Sequence, residues 1–278
     1  MDILNALILG VVQGLAEYLP ISSSGHLEIF HDLLGLDLSG AESLEFDLML
    51  HVATVLSTIV ILWKEFMPLC TSFFTLKWDS NTIYVLKILV SCIPVAIVGF
   101  CFKDFVESFF GGNLLVVGIC LCITAALLAF TYFFRTSPET ARKYKPRNIS
   151  WLDAIIIGCA QAVAVLPGLS RSGSTIATGI MLGDKREEVA RFSFFMVIIP
   201  ILGEALLDLK DLFSPATGLA ANTSGVGVGF LPILVGFIAS FIVGCLACKW
   251  MLEIVKKGKL VWFAIYCVIV GVLCIVFN

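Results

Sequence analysis

The sequence predicts an all-α polytopic membrane protein with six transmembrane helices and two re-entrant helical hairpins, arranged as an inverted repeat. Three observations predict it. Hydrophobic residues fill 59% of 278 positions and charged residues only 14%, with mean hydropathy +1.01, whereas a soluble domain is about one quarter charged. Two apolar segments are broken by Pro, Gly and Ser in the same manner. The basic residues fall almost wholly on one side of the resulting topology.

Six segments are apolar and long enough to cross: roughly 46–63, 82–102, 113–134, 192–207, 226–248 and 260–277. The fourth is short and must borrow flanking residues. Two others are not simple spans. Residues 3–19 run into Pro20 and Ser22-Ser23-Ser24-Gly25, and residues 151–166 into Pro167-Gly168 and Ser170-Arg171-Ser172-Gly173. A second short apolar stretch follows each break, at 27–36 and 176–183. This is the pattern of two half-helices joined at a tip, which irregular backbone permits only where protein or a watery cavity satisfies it.

The broken segments resemble each other. Gly10–Gly25 laid on Gly158–Gly173 matches Gly10/Gly158, Gln13/Gln161, Ala16/Ala164, Ser22/Ser170, Ser24/Ser172 and Gly25/Gly173. Ile88-Leu89-Val90 with Ile97-Val98-Gly99 recurs as Ile233-Leu234-Val235 with Ile242-Val243-Gly244. The chain therefore divides into a first repeat, 1–134, with its hairpin at about 3–36, and a second, 151–278, with its hairpin at about 151–183. A basic cytoplasmic linker, 135–150, joins them. Three crossings per half invert the second half relative to the first.

Charge placement agrees with this. Lys64, Lys77, Lys87, Arg135, Arg142, Lys143, Lys145, Arg147, Lys185, Arg186, Arg191, Lys249, Lys256, Lys257 and Lys259 share one side, against Lys103 and Lys210 on the other. The richer side is cytoplasmic. Both termini then face outward, the first hairpin enters from outside and the second from the cytoplasm, and their tips meet in the membrane. Met1-Asp-Ile-Leu-Asn5 has no positive n-region, so the start is not read as a removable signal peptide. The ten cysteines lie mostly inside apolar runs and read as small apolar residues, not as a disulfide framework or zinc site. No feature points to a nucleic-acid partner.

Ionisable groups at membrane depth are functional candidates, because burial there costs several kcal/mol. The tips hold Glu17, His26 and Arg171, with Gln13, Ser22, Ser23, Ser24, Ser170, Ser172, Ser174 and Thr175 alongside. Gln13 and Glu17 lie one helical turn apart on one face and can hold a hard cation, Mg²⁺ or Ca²⁺. Ser22-Ser23-Ser24-Gly25 leads into a helix start, where free N–H groups and hydroxyls make an anion site. His26 beside it can shuttle a proton to or from a serine or a leaving oxygen. The Arg171 guanidinium suits bidentate phosphate binding. The ensemble reads as phosphate-ester or anhydride chemistry on a lipid-borne substrate. Serines and glycines at helix breaks also serve close packing. Asp47, His51, Glu204 and Asp208 lie nearer the outer ends of spans and are assigned to interface hydration; Glu28, His31 and Asp32 read as a solvated rim.

At these residues a resemblance becomes specific. Gln13-Gly-Leu-Ala-Glu17-Tyr-Leu-Pro-Ile-Ser-Ser-Ser-Gly-His26 looks like the (E/Q)xxxE and Ser-x-Gly-His signature of the bacitracin-resistance (UppP/BacA) family of undecaprenyl pyrophosphate phosphatases. Pro167-Gly168-Leu-Ser-Arg-Ser-Gly-Ser-Thr175 resembles its second motif, and Arg191-Phe-Ser-Phe194 fits as well. The resemblance covers essentially the whole chain. It implies hydrolysis of undecaprenyl pyrophosphate to the monophosphate, recycling of the lipid carrier for cell-wall synthesis, bacitracin resistance, dependence on a divalent cation and a site facing outward across the bacterial cell membrane. It also suggests a homodimer. By motif, Glu17 is the essential carboxylate, with Gln13 helping it bind metal. Ser23 is the candidate nucleophile with His26 as its proton partner, although metal-activated water needs the same neighbours. Arg171 clamps the pyrophosphate, assisted by Ser22, Ser24, Gly25, Gly168, Ser170, Ser172 and Thr175. Gln13 stands where many members carry Glu, which removes one negative charge from the metal pair.

Two other readings compete. A transporter or flippase for a lipid-linked phosphate would use the same opposed hairpins. A phosphatidic-acid-type phosphatase would need a histidine and an aspartate soon after Ser170-Arg171, and Ser-Gly-Ser-Thr-Ile-Ala-Thr-Gly follows instead.

Overall fold

A computed structural model describes residues 1–36, 40–102, 105–106, 108–109, 113–136, 145–212 and 228–277. The side chains of residues 40–42, 44, 136, 204 and 208–212 are outside that description, as are Lys103, Arg142 and Lys143. The positions assigned to the side chains of Glu204, Asp208 and Lys210, and residues 137–144 of the 135–150 linker, therefore lie outside the described residues.

The described chain is helical, with no strand and one isolated bridge between Arg147 and Asp184. The helices are α1 (Ile3–Ala16), α2 (Ser23–Leu33), α3 (Gly40–Ile61), α4 (Trp63–Phe74), α5 (Ser80–Cys101), α6 (Leu114–Thr131), α7 (Trp151–Val163), α8 (Arg171–Leu182), α9 (Arg186–Met196), α10 (Ile198–Leu212), α11 (Phe230–Lys256) and α12 (Val261–Val276). Four stretches are long and apolar enough to cross a membrane: Ser80–Cys101, Leu114–Arg135, Arg186–Leu207 and Phe230–Lys256. A fifth arises if Glu45–Ile61 and Trp63–Phe74, which meet at 90°, are one broken span. The expected crossing at 192–207 does borrow flanking residues, extending back to Arg186. That at 260–277 is the 16-residue α12. This is a multi-pass membrane architecture.

The α4 helix follows the crossing expected at 46–63, as a second helix before the next expected crossing at 82–102. Pro68 sits inside it at 12 residues' length. Its Trp63 and Met67, and Phe74, Leu76 and Trp78 at and beyond its end, are exposed, as suits a helix turned away from the span before it.

Local chemistry explains both hairpin breaks. The carboxylate of Asp2 caps α1 by accepting from the Asn5 N–H at 2.7 Å, and Pro20 prevents the helix from continuing. Ser22 caps α2, its Oγ accepting from the Gly25 N–H at 3.2 Å. In the second hairpin Ser150 and Asp153 form a reciprocal capping box at the start of α7. Ser170 Oγ accepts from the Gly173 N–H at 3.0 Å to start α8, and Gly183 (φ 97°) ends it. The two matched serines thus do the same job.

Packing crosses between the halves. Helix α1 lies on α11, and α7 lies on α5. A Cβ at Gly10 would stand 2.4 Å from the Gly236 carbonyl oxygen, and one at Gly158 would stand 2.2 Å from that of Ser91. Only hydrogen fits at either place. Helices α6 and α12 cross at Gly118 and Gly271, where each glycine faces the other's carbonyl oxygen. The outward faces carry residues such as Ile97, Phe100, Ile123, Leu246 and Trp262, all exposed, as a lipid-facing surface requires.

Candidate active site at the hairpin tips

The two tips touch. A Cβ at Gly25 would lie 2.8 Å from Gly168 Cα, so backbone rests on backbone. Gly168 itself is left-handed (φ 86°) and has the Val117 carbonyl oxygen where a Cβ would be, at 2.5 Å. Gly25 and Gly168 were expected to line the substrate; their immediate role is this crossing. Beside it, the Ser172 Oγ donates to the Leu19 carbonyl at 3.2 Å.

The contact places four side chains on one carboxylate. Glu17, 8% exposed, accepts at Oε1 from Arg171 Nη2 of the opposite tip. Its Oε2 accepts from Ser23 Oγ at 2.8 Å and from Gln13 Nε2 at 2.9 Å. His51 Nε2 lies 3.5 Å from the same oxygen. A carboxylate this buried is tolerable only with such partners. The structure brings Gln13, Glu17, Ser23 and Arg171 together, and it adds His51, which the sequence reading placed at a hydrated end. His51 is not at a hydrated end: α3 packs against α1, and this carries His51 to Glu17. No spacing within α3 signals that contact.

His26 is arranged differently from expectation. Its Nδ1–H donates to the Ser22 carbonyl at 2.8 Å, so Nε2 accepts from the Tyr266 hydroxyl at 2.7 Å. The rings of His26 and Tyr266 stack, 5.6 Å apart. Both nitrogens are therefore engaged away from Ser23, whose proton points to Glu17. The Ser23–His26 partnership is replaced by Ser23–Glu17, and His26 holds the turn. Tyr266 gave no signal in sequence, since an aromatic in an apolar span looks like any other.

Ser22 is the strained residue of the site. With φ 71° it is a non-glycine residue in left-handed space, which costs on the order of 1–3 kcal/mol. With this twist its carbonyl accepts from the His26 N–H and Nδ1–H, and its Oγ from the Gly25 N–H. Ser22 and Ser24 hydroxyls lie 3.4 Å apart, and those of Ser170 and Ser172 also 3.4 Å. Thr175 Oγ1 sits behind Arg171, donating to its carbonyl at 2.9 Å and pairing with Ser193 Oγ at 2.6 Å. By helix geometry the first two N–H groups of α2 and α8 lack intrahelical acceptors, and each helix start presents a positive end suited to an anion.

The donor set suits a hard cation. Glu17 supplies carboxylate oxygen, and Gln13 Oε1 is a buried carbonyl oxygen with no hydrogen-bond partner among the described residues. No group of three or more His, Cys, Asp or Glu is placed to hold a metal ion among those residues. Protein can thus fill a minority of positions, as for a cation that keeps water and substrate phosphate oxygens. A larger cavity of about 980 Å³ lies elsewhere, lined by Arg135, Asp184, Arg186 and Arg191 among others. It shares no residue with this cluster, and pairing of Glu17 with Arg171, rather than cavity size, marks the site.

Comparison with known proteins follows the same residues. The model of the bacitracin resistance protein BacA family matches residues 6–273. An undecaprenyl-diphosphatase of Bacteroides fragilis is 55% identical over 278 residues, covering 100% of this chain and 99% of that protein. One of Bacteroides thetaiotaomicron is 53% identical with 99% of each covered, and one of Christiangramia forsetii is 45% identical with 100% and 98% covered. A chain matched from its first hairpin to its last helix, with the paired motifs in contact, belongs to the BacA bacitracin resistance protein family.

Proposed function

We propose that this membrane enzyme hydrolyses undecaprenyl pyrophosphate to undecaprenyl phosphate and inorganic phosphate, recycling the lipid carrier for cell-wall synthesis and conferring bacitracin resistance. The observation that carries this reading is the joining of Glu17, Ser23 and Arg171 at the two tips, in a chain whose relatives bear that activity in their names.

The chemistry follows from the contacts. Arg171, freed from Glu17 by an arriving anion, turns its fork to the pyrophosphate oxygens. Glu17 then takes the Ser23 proton along the existing hydrogen bond. Ser23 Oγ bonds to the terminal phosphorus, the bridging P–O bond breaks, and undecaprenyl phosphate leaves. Water displaces Ser23 from the phosphoryl group, returning the proton through Glu17. The hydroxyls of Ser24 and Ser172 and the two helix starts meet the charge that develops. His26 keeps the Ser22–Gly25 turn in its strained form. A divalent cation, Mg²⁺ or Ca²⁺, would be held by Glu17 and Gln13 and would neutralise phosphate charge.

In the same reading six helices cross the membrane and the two hairpins re-enter, from outside and from the cytoplasm. The halves 1–134 and 151–278 are inverted, joined by the basic linker 135–150, and the site opens to the outside of the cell membrane. The exchanged glycine contacts support this: Gly10 and Gly158 are matched positions, and so are their partners Gly236 and Ser91. The Gly118–Gly271 crossing is its own counterpart. The homodimer implied by the resemblance is tested by light scattering in detergent.

The deciding experiment is phosphate release from undecaprenyl pyrophosphate by the purified protein, with and without chelator, for wild type and Glu17→Ala. Absence of release with divalent cation present, alongside lipid movement in vesicles, would favour a transporter.

A further inference from the structure

We propose that His51 is a nitrogen ligand of the divalent cation at the hairpin tips, making the site a mixed His51–Glu17–Gln13 centre. This inference rests on reading Glu17 as a cation ligand.

His51 Nδ1–H donates to the Asp47 carbonyl at 2.7 Å. That bond fixes the tautomer of the neutral ring and leaves an electron pair on Nε2, as is usual for a metal-binding imidazole. Nε2 faces Glu17 Oε2 at 3.5 Å, with the two side chains 20% and 6% exposed. Two electron-pair donors face each other across that distance, an arrangement that an electrophile between or beside them stabilises. Ligand bonds of about 2.1 Å set neighbouring donors roughly 3.0–3.4 Å apart in octahedral or tetrahedral geometry. The observed separation is close to such an edge.

Three further observations favour a cation over a shared proton. Gln13, fully buried, has its Oε1 without a hydrogen-bond partner among the described residues, and rotating its amide presents that oxygen beside Glu17. Arg171 holds the other carboxylate oxygen, Oε1, so Oε2, which also accepts from Ser23 and Gln13, is the one that meets His51. The Asp47 carboxylate next along α3 is turned to His31, at 3.6 Å, and does not compete. One carboxylate, one amide and one imidazole form a softer set than two carboxylates. They shift preference from Ca²⁺ toward Mn²⁺ and its later neighbours.

The test uses the full-length protein in detergent with Mn²⁺ as the probe. Electron spin-echo modulation of bound Mn²⁺ should show one directly coordinated imidazole nitrogen in wild type and in His31→Gln. In His51→Gln that coupling should vanish and Mn²⁺ affinity should fall at least about tenfold. Bound Mn²⁺ without nitrogen coupling in wild type overturns the proposal, whatever the variant does. So does coupling that survives in His51→Gln, or a failure of wild type to bind Mn²⁺. Phosphate release is scored separately. Hydrolysis without nitrogen coupling removes the ligand role and leaves the phosphatase; coupling without hydrolysis removes the phosphatase and leaves the metal centre.

Discussion

Arg171 of the second hairpin donates directly to Glu17 of the first, a contact between residues 154 positions apart in the chain. It is at once the closure of the site and a buried ion pair. Removing either partner leaves the other charge uncompensated, which typically costs about 3–5 kcal/mol. Glu17→Ala and Arg171→Ala should each lower phosphate release by at least about two orders of magnitude. Thermal unfolding should separate the two roles: the double variant Glu17→Ala/Arg171→Ala should melt above at least one of the single variants. Near-normal turnover in Arg171→Ala would remove the phosphate clamp.

Ser23 donates to Glu17 and not to His26. Ser23→Ala should therefore lose activity by at least about a hundredfold, and a brief reaction of wild type with labelled substrate should leave phosphate on the protein. Retained activity in Ser23→Ala would assign the attack to water.

His26 acts on the turn through Ser22, with Tyr266 behind it. His26→Ala should lower turnover by at least about two orders of magnitude. Tyr266→Phe keeps the ring stack and loses only one hydrogen bond, so its loss should be roughly tenfold or less, in line with about 1 kcal/mol for such a bond. Equal losses in the two variants would mean that the hydroxyl itself takes part in the chemistry.

Gly25→Ala would force a methyl group against Gly168, and Gly168→Ala would add both a clash with Val117 and a left-handed backbone penalty. Both should lower the melting temperature by several degrees and abolish activity, Gly168→Ala more severely. Unchanged melting in either would contradict the tip crossing.

Outside the membrane-spanning segments, Asp184 is buried and bridged to the linker at Arg147. Burial and the nearby Asp153 carboxylate push its carboxyl up to about 7, against the pull of Arg147. A folded-state value above the unfolded one means that the protonated acid is favoured on folding. Its stabilising effect is complete below about pH 4 and is lost as pH rises through about 7. Asp184→Asn should raise the melting temperature at pH 8 and flatten its fall between these limits. A steeper fall in the variant would show that the Arg147 pair dominates.

Much of this site was legible in the chain because its chemistry is local. Glu17 and Arg171 stand out as charges in apolar sequence, and the serines announce helix starts before the structure places them. What was not legible depends on register between distant helices. His51 reaches Glu17 only because α3 and α1 pack at one particular offset, and within α3 it looks like a hydrated end. Tyr266 meets His26 across 240 positions and carries no mark of it. The 90° turn between α3 and α4 was hidden because the apolar residues of α4 continue those of α3, and composition does not record the angle at which one helix leaves the other. The number of crossings was harder to read than their existence, since short segments such as α12 sit at the limit of span length.

The seating of α1 against α11 sets an order of assembly. Gly10 emerges from the ribosome more than two hundred residues ahead of its partner Gly236. The second hairpin has no such wait, because Gly158 rests on Ser91, which is already inserted. Glu17 therefore reaches its final berth only after α11 has been delivered to the bilayer. A chain cut before α11 lacks the groove that seats its first hairpin.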